Sequence, residues 1–218
     1  MNTNPKAKRI LIYGDSYTYG KIPGGNRYDS ATRFTGVLQK ELGENYEVIE
    51  EGLRGRVISG EHPFFPHRDG LAQFDGIIGS HLPLDLVCLF LGTNETNSGS
   101  TKSSDQIVTA YDAYQDRLKK WSDFHNCSIP KLIIVTPPYI KEEESYKAFK
   151  HIFKDAQKKI ISLTEQIADY SKHNSIQNYD ARHIGVSDID GVHLDISANR
   201  QIGEELAVVV KRILSKSS

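Results

Sequence analysis

The way unbroken apolar runs alternate with amphipathic stretches constrains this chain more than any other feature. Leu86-Val87-Cys88-Leu89-Phe90-Leu91 and Leu132-Ile133-Ile134-Val135 contain no polar residue. A strand with one wet face would alternate apolar and polar side chains, so continuous runs suit strands covered on both faces. Strands are expected at 9–14, 47–50, 84–91, 131–136 and 175–179. Helices are expected between and after them, at 31–42, 70–81, 105–124, 146–173 and 197–214. Spacings such as Ile160, Ile161, Leu163, Thr164, Ile167 place apolar groups on one helical face. Asp105 and Ser197 read as N-caps of the third and fifth of these helices. Strand–helix alternation of this kind predicts an α/β fold, a parallel sheet wrapped by helices.

With 218 residues, 38% of them hydrophobic, the chain is expected to form one globular domain over 1–218 with a sizeable core. A formal net charge of -1 and no block of Lys or Arg argue against a nucleic-acid groove. No run is apolar enough to span a bilayer, and the opening Met1-Asn2-Thr3-Asn4-Pro5-Lys6 lacks the apolar core of a secretory signal. A cytoplasmic location is therefore expected, with no membrane partner. Cys88 and Cys127 lack C-x-x-C or His/Cys companions and read as free thiols. No repeat, linker or low-complexity tract interrupts the pattern.

In open parallel sheets the ligand crevice lies beyond the carboxyl ends of the strands. Four groups fall there or on a late loop that can return there: Ser16, Gly52 to Arg56, Gly92 to Glu95, and Asp188 to His193. Ser16 follows the first strand within Gly14-Asp15-Ser16-Tyr17-Thr18-Tyr19-Gly20 and is a candidate nucleophile. The setting is not the G-x-S-x-G elbow of α/β-hydrolases, and a plain helix N-cap is the competing role.

A nucleophilic serine needs a base, a group to orient that base, and donors for an oxyanion. In Asp190-Gly191-Val192-His193 the aspartate can fold back onto one imidazole nitrogen, leaving the other to face Ser16. Asp180-Ala181-Arg182-His183 repeats the spacing but lacks the glycine that eases a tight loop. Asp188 and Asp195 flank the favoured pair and suggest an oxygen-rich metal site, yet no second ligand cluster accompanies them, so no metal is assigned. For the oxyanion, Glu51-Gly52-Leu53-Arg54-Gly55-Arg56 offers backbone N–H groups and Gly92-Thr93-Asn94-Glu95 a side-chain amide. Either stretch alone could be simple turn chemistry. The phosphate-binding motifs G-x-x-x-x-G-K-[ST] and G-x-G-x-x-G are missing, which removes a nucleotide-binding reading.

Taken in order, Gly14-Asp15-Ser16, Gly55, Gly92-Thr93-Asn94 and Asp190-Gly191-Val192-His193 resemble the four blocks of the SGNH hydrolases, the GDSL lipases and esterases. A narrower likeness, to the family's small bacterial arylesterases and carbohydrate acetylesterases, rests on two stretches. They are Glu50-Glu51-Gly52-Leu53-Arg54-Gly55-Arg56 and Ser80-His81-Leu82-Pro83-Leu84-Asp85-Leu86-Val87. The resemblance implies a three-layer α/β/α flavodoxin-like sandwich with a five-stranded parallel sheet. It implies hydrolysis of short acyl esters, with acetyl esters of sugars in view, without metal or organic cofactor. Self-association into a homo-oligomer is a further implication. By position, Ser16 would be the nucleophile, His193 the base and Asp190 its orienting carboxylate, while Ser16 N–H, Gly55 N–H and the Asn94 amide would form the oxyanion hole. A thioesterase or lysophospholipase with the same site, or a silent sugar-binding module on the same fold, are the alternatives.

Some positions depart from the likeness. Tyr19 stands where Trp is frequent, Glu95 where Asp is usual, and Val57-Ile58 where Thr-Thr is common. Whether Glu95 props the Ser16 loop is left open by the sequence. Arg54 is read as a substrate contact that narrows the acyl pocket or pairs with an anionic group, against a solvated arginine. Phe64 and Phe65, between Pro63 and Pro66, are read as a pocket rim or a subunit contact.

Overall fold

The first strand, β1 (Lys8–Gly14), shows how the core is divided. Successive side chains of a strand point to opposite faces. Ile10 and Ile12 accordingly join one buried cluster, and Leu11 and Tyr13 the other. The central strand β3 (Leu86–Phe90) repeats the division, with Leu86, Cys88 and Phe90 on the first side and Val87 and Leu89 on the second. All of these side chains are fully buried, each contributing roughly 1.5–3 kcal/mol from removal of apolar surface from water. The unbroken apolar run is thus two alternating half-runs, each facing its own helical layer.

The computed structural model describes residues 2–149 and 152–215. With β2 (Tyr46–Gly52), β4 (Lys131–Thr136) and β5 (Gln177–Asp180), the strands form one parallel sheet in the order β2-β1-β3-β4-β5. Between β1 and β2 lie the single-turn α1 (Ser16–Tyr19) and α2 (Phe34–Leu42), and α3 (Gly70–His81) precedes β3. A 3-10 turn (Thr93–Thr96), α4 (Ser104–Val108) and α5 (Ala110–Phe124) lead to β4. Helices α6 (Glu142–Phe149) and α7 (Ala156–His173) precede β5, and α8 (Ile196–Ser215) follows it. Side chains of α2 and α8 cover the Ile10/Ile12 face, and those of α3, α5 and α7 the Leu11/Tyr13 face. This is the expected three-layer sandwich. Both cysteines are free, Cys88 buried and Cys127 partly so, and no helix among the described residues is long and apolar enough to cross a membrane.

The helix expected over 105–124 is divided at Thr109 into α4 and α5, and three further local expectations need correction. Asp105 is not the cap of its helix: Ser103 is, its hydroxyl accepting from Gln106 N–H (3.3 Å) while Gln106 Oε1 accepts from Ser103 N–H (3.0 Å). Ser197 lies inside α8, and the capping oxygen is that of Asp195, which accepts from Ala198 N–H at 2.8 Å and from the Ser197 hydroxyl at 3.0 Å. The single helix expected over 146–173 is two helices. Asp155 has φ +58, a left-handed conformation that an L-residue helix cannot continue through. The Glu142 carboxylate fixes the new start, accepting from Asp155 N–H (3.0 Å) and Gln157 N–H (2.9 Å).

The strand order reverses direction at β1, with β2 on one side and β3 on the other. A crevice opens at such a point beyond the carboxyl ends. Gly14, Gly52 and Phe90 end their strands side by side in the register, which brings the loops after β1, β2 and β3 to that edge.

Candidate active site

Ser16 is the first residue of α1, not its cap. The cap is Asp15, whose Oδ1 accepts from Tyr17 N–H at 2.9 Å, so the serine hydroxyl is released from that duty. The Asp190 loop approaches from the other end of the chain. It is built by Asp190 Oδ1 accepting from Val192 N–H (3.1 Å) and His193 N–H (2.9 Å). Gly191 adopts φ +68 and is pressed against α6, where an added Cβ would meet the Lys141 carbonyl and, at 2.5 Å, Ser145 N. Only glycine meets both requirements.

The loop presents His193 to Ser16. Its Nδ1 lies 2.8 Å from Asp190 Oδ2 and its Nε2 lies 3.2 Å from Ser16 Oγ. An ionised carboxylate accepts only, so Nδ1 carries the proton and Nε2 accepts from the serine hydroxyl. Burial works to raise the Asp190 pKa, but the bonds and charge of His193 and two backbone N–H groups outweigh it and leave the pKa below the ordinary value. The imidazole is held edge-on between Tyr17 (6.5 Å between ring centres) and Phe149 (5.8 Å). Tyr17 also donates its hydroxyl to the Val192 carbonyl at 2.9 Å, a second strut between the same two segments.

The backbone N–H groups of Ser16 and Gly55 have no acceptor among the described residues and border the same cavity. Gly55 sits at φ +77, and an added Cβ would lie 3.3 Å from the Phe65 ring. Asn94 differs from expectation in one respect. Its Nδ2 donates to Asp15 Oδ2 (3.1 Å) and to the Arg56 carbonyl (3.1 Å), so both amide protons already have acceptors. It ties the β1 turn to the loop after β2, and an oxyanion could only share one of those protons. Arg56 reinforces the tie, its buried guanidinium donating to the Gly14 carbonyl (2.9 Å) and the Glu51 carbonyl (2.5 Å) and lying over the Tyr13 ring.

Glu95 does not touch the Ser16 turn. It is buried, and its Oε1 accepts from Ile58 N–H, clamping the β2 loop to the 3-10 turn, while Oε2 has no partner among the described residues. Burial pushes its pKa up to about 8. Burial likewise raises Asp15 to about 7, against the opposing pull of its hydrogen bonds and of Arg56.

The cavity has a volume of about 290 Å³ and contains Ser16, Asn94 and His193 in its lining. Arg54 and Phe65 line it, whereas Phe64 does not; Phe64 is exposed, and its N–H donates to His62 Nδ1. The remaining lining was missed in the sequence: His62 and Arg68 from the loop after β2, Phe149, Ile152 and Phe153 from the α6–α7 junction, and Val192. The rival residues are committed elsewhere. Asp180 pairs with Arg182 (2.6 Å), His183 Nε2 bonds Glu205 (2.8 Å), Asp188 pairs with Lys141, and Asp195 caps α8. Among the described residues no three His, Cys, Asp or Glu side chains are grouped so that they could hold a metal ion.

Residues 10–206 match the family model described as GDSL-like Lipase/Acylhydrolase. The chain belongs to this family. Membership makes the GDSL protein a carboxylic ester hydrolase. An inhibitor-bound aryl esterase from M. smegmatis is 30% identical, with a TM-score of 0.87 over 94% of this chain and 99% of that one. A carbohydrate acetylesterase from Sinorhizobium meliloti is 28% identical, with a TM-score of 0.86 over the same shares. No curated protein sequence matches significantly. These likenesses to solved structures span almost the whole GDSL chain.

Proposed function

We propose that this enzyme is a serine esterase that hydrolyses short-chain acyl esters, acetyl esters foremost, through Ser16, His193 and Asp190. The observation that carries the reading is the unbroken chain Ser16 Oγ to His193 Nε2 (3.2 Å) and His193 Nδ1 to Asp190 Oδ2 (2.8 Å) inside a cavity. The named functions of the similar solved structures, an aryl esterase and a carbohydrate acetylesterase, point the same way.

In the first half-reaction Ser16 Oγ attacks the ester carbonyl as its proton passes to His193 Nε2. The imidazolium is stabilised by Asp190, which stays ionised. The tetrahedral oxygen is received by Ser16 N–H and Gly55 N–H, with Asn94 sharing a proton from its bond to Asp15 or Arg56. Collapse expels the alcohol, which takes the proton from His193. A water that gives its proton to His193 then attacks the acyl-Ser16 carbonyl, and collapse releases the acid and restores the serine hydroxyl. The acyl group is short because the cavity is small and is walled on one side by Phe149, Ile152, Phe153 and Val192.

The test is hydrolysis of aryl acetate, butyrate and octanoate by wild type and Ser16→Ala, with and without a chelator. Chelator-resistant acetate hydrolysis that disappears in the variant, with rates falling steeply toward octanoate, is the expected result. Activity that survives Ser16→Ala would overturn the mechanism, and octanoate as the preferred ester would overturn the short-chain assignment.

A further inference from the structure

The cavity is unequal in charge. Besides the apolar lining, the loop after β2 contributes Arg54, Arg68 and His62. Arg54 is exposed, and its guanidinium makes no hydrogen bond or ion pair among the described residues. Arg68 donates Nε to the Arg54 carbonyl (2.7 Å) and Nη1 to the carbonyls of Pro66 (2.8 Å) and His67 (3.2 Å). No carboxylate among the described residues pairs with it, and Asp69 beside it is spent capping α3 through Ala72 N–H at 3.1 Å. The stem of Arg68 packs over Gly55, its Cδ 3.7 Å from where a Cβ would stand, so the charge is stationed next to a proposed oxyanion donor.

His62 supplies the independent observation. It is 4% exposed, and its Nδ1 accepts from Phe64 N–H at 3.1 Å, which places the ring proton on Nε2. That N–H has no acceptor among the described residues, in a residue that lines the cavity. Burial, and secondarily the charge of Arg68, lower the His62 pKa to about 4, so the ring is a neutral donor at neutral pH. Two guanidinium groups with no carboxylate partner and the unpaired N–H of His62 therefore belong to residues that border one small cavity. A guanidinium matches carboxylate and phosphate oxygens in geometry as well as charge.

We propose that the ester substrate carries an oxyanionic group, carboxylate or phosphate, bound by Arg54, Arg68 and His62 while its short acyl half lies against Phe149 and Phe153. This rests on the esterase reading and names the substrate class of the same site. Arg54 and Arg68 act as specificity residues that orient the ester and hold it beside Ser16. A solvated role for both arginines is the competing account.

Three acetates separate them: 4-acetoxybenzoate, its neutral isostere 4-acetoxybenzamide, and 4-acetoxyphenyl phosphate. At low ionic strength the wild-type kcat/KM should favour the anions by about tenfold over the amide, the scale of one charge-assisted contact. The anion-to-amide ratio should fall toward one in Arg54→Gln/Arg68→Gln, and in the wild type at high salt, a readout that needs no variant to fold. The larger of the two anion ratios identifies the group bound. A ratio near one in the wild type, or one that neither the double variant nor salt lowers, overturns the proposal. Calorimetric binding of 4-hydroxybenzoate against 4-hydroxybenzamide addresses the anion without turnover. Equal affinities overturn it, whereas selective anion binding without hydrolysis of any acetate would uphold it and overturn only the esterase reading.

Discussion

The Asn94 amide donates to the Asp15 carboxylate across 3.1 Å, joining the residue before Ser16 to the residue proposed to share the oxyanion. The aspartate of Gly14-Asp15-Ser16 thereby has two tasks, capping α1 with one oxygen and aiming Asn94 with the other. In Asp15→Asn the second oxygen is replaced by an amide that would face another donor. We expect kcat to fall by about a hundredfold, the scale of a lost oxyanion donor, with KM changed much less. Steady-state kinetics on an aryl acetate would check this, and an unchanged kcat would remove the positioning role.

The Asp190–His193 bond fixes which imidazole nitrogen is protonated. Asp190→Asn can present its own N–H to Nδ1 and so favours the wrong tautomer. Turnover should drop by about four decades while the melting temperature moves little. Single-turnover kinetics alongside thermal unfolding would separate the two effects.

Glu95 makes stability depend on pH. Its folded pKa is raised from 4.5 to about 8, so the carboxyl keeps its proton in the fold where the unfolded chain would lose it. Stability linked to it is complete below about 4.5 and is lost as pH rises through 8. Glu95→Gln keeps an acceptor for Ile58 N–H and cannot ionise. It should leave the melting temperature at pH 5 nearly unchanged and raise it at pH 9, by about 3 °C for each kcal/mol recovered. A variant that melts lower than wild type at pH 9 would contradict the assignment.

Gly191 is where the Asp190–His193 loop rests on α6. An alanine there is strained by the left-handed backbone and drives its methyl into Lys141 and Ser145. The cost should be about 2–4 kcal/mol from strain and overpacking together. Urea unfolding would measure it, and activity should be lost more steeply than stability because His193 rides on the displaced loop.

Phe153 is 6% exposed and closes the apolar wall with Val192. Phe153→Ala should admit longer acyl chains, raising the butyrate-to-acetate ratio of kcat/KM by about tenfold, as expected for two methylenes gaining contact. An unchanged ratio would place the acyl group elsewhere in the cavity.

Where the sequence was readable, the reason was local. Ser16 and Asn94 lie within a few residues of a strand end, and Asp190 and His193 are three apart, so short-range patterns expose them. The strands were legible because a short, continuous apolar run between turn residues suits a strand covered on both faces and little else. His62, Arg68, Phe149 and Phe153 were not, because they reach the cavity from a long loop and from the α6–α7 junction, where no spacing rule applies. That junction was hidden because apolar spacing runs on through Asp155, and a left-handed residue leaves no mark on hydrophobic periodicity. Ser103 and Asp195 won their caps over Asp105 and Ser197 because suitable cap residues stood two positions apart, and composition alone does not choose between them.

The Ser16–His193 contact joins residues 177 positions apart, and Tyr17–Val192 fastens the same two segments beside it. A chain still being synthesised therefore contains Ser16 long before His193 exists. Throughout that interval the serine is an ordinary alcohol. The contact can form only when nearly the whole polypeptide has been made and the late loop has docked, so it reports on the complete fold.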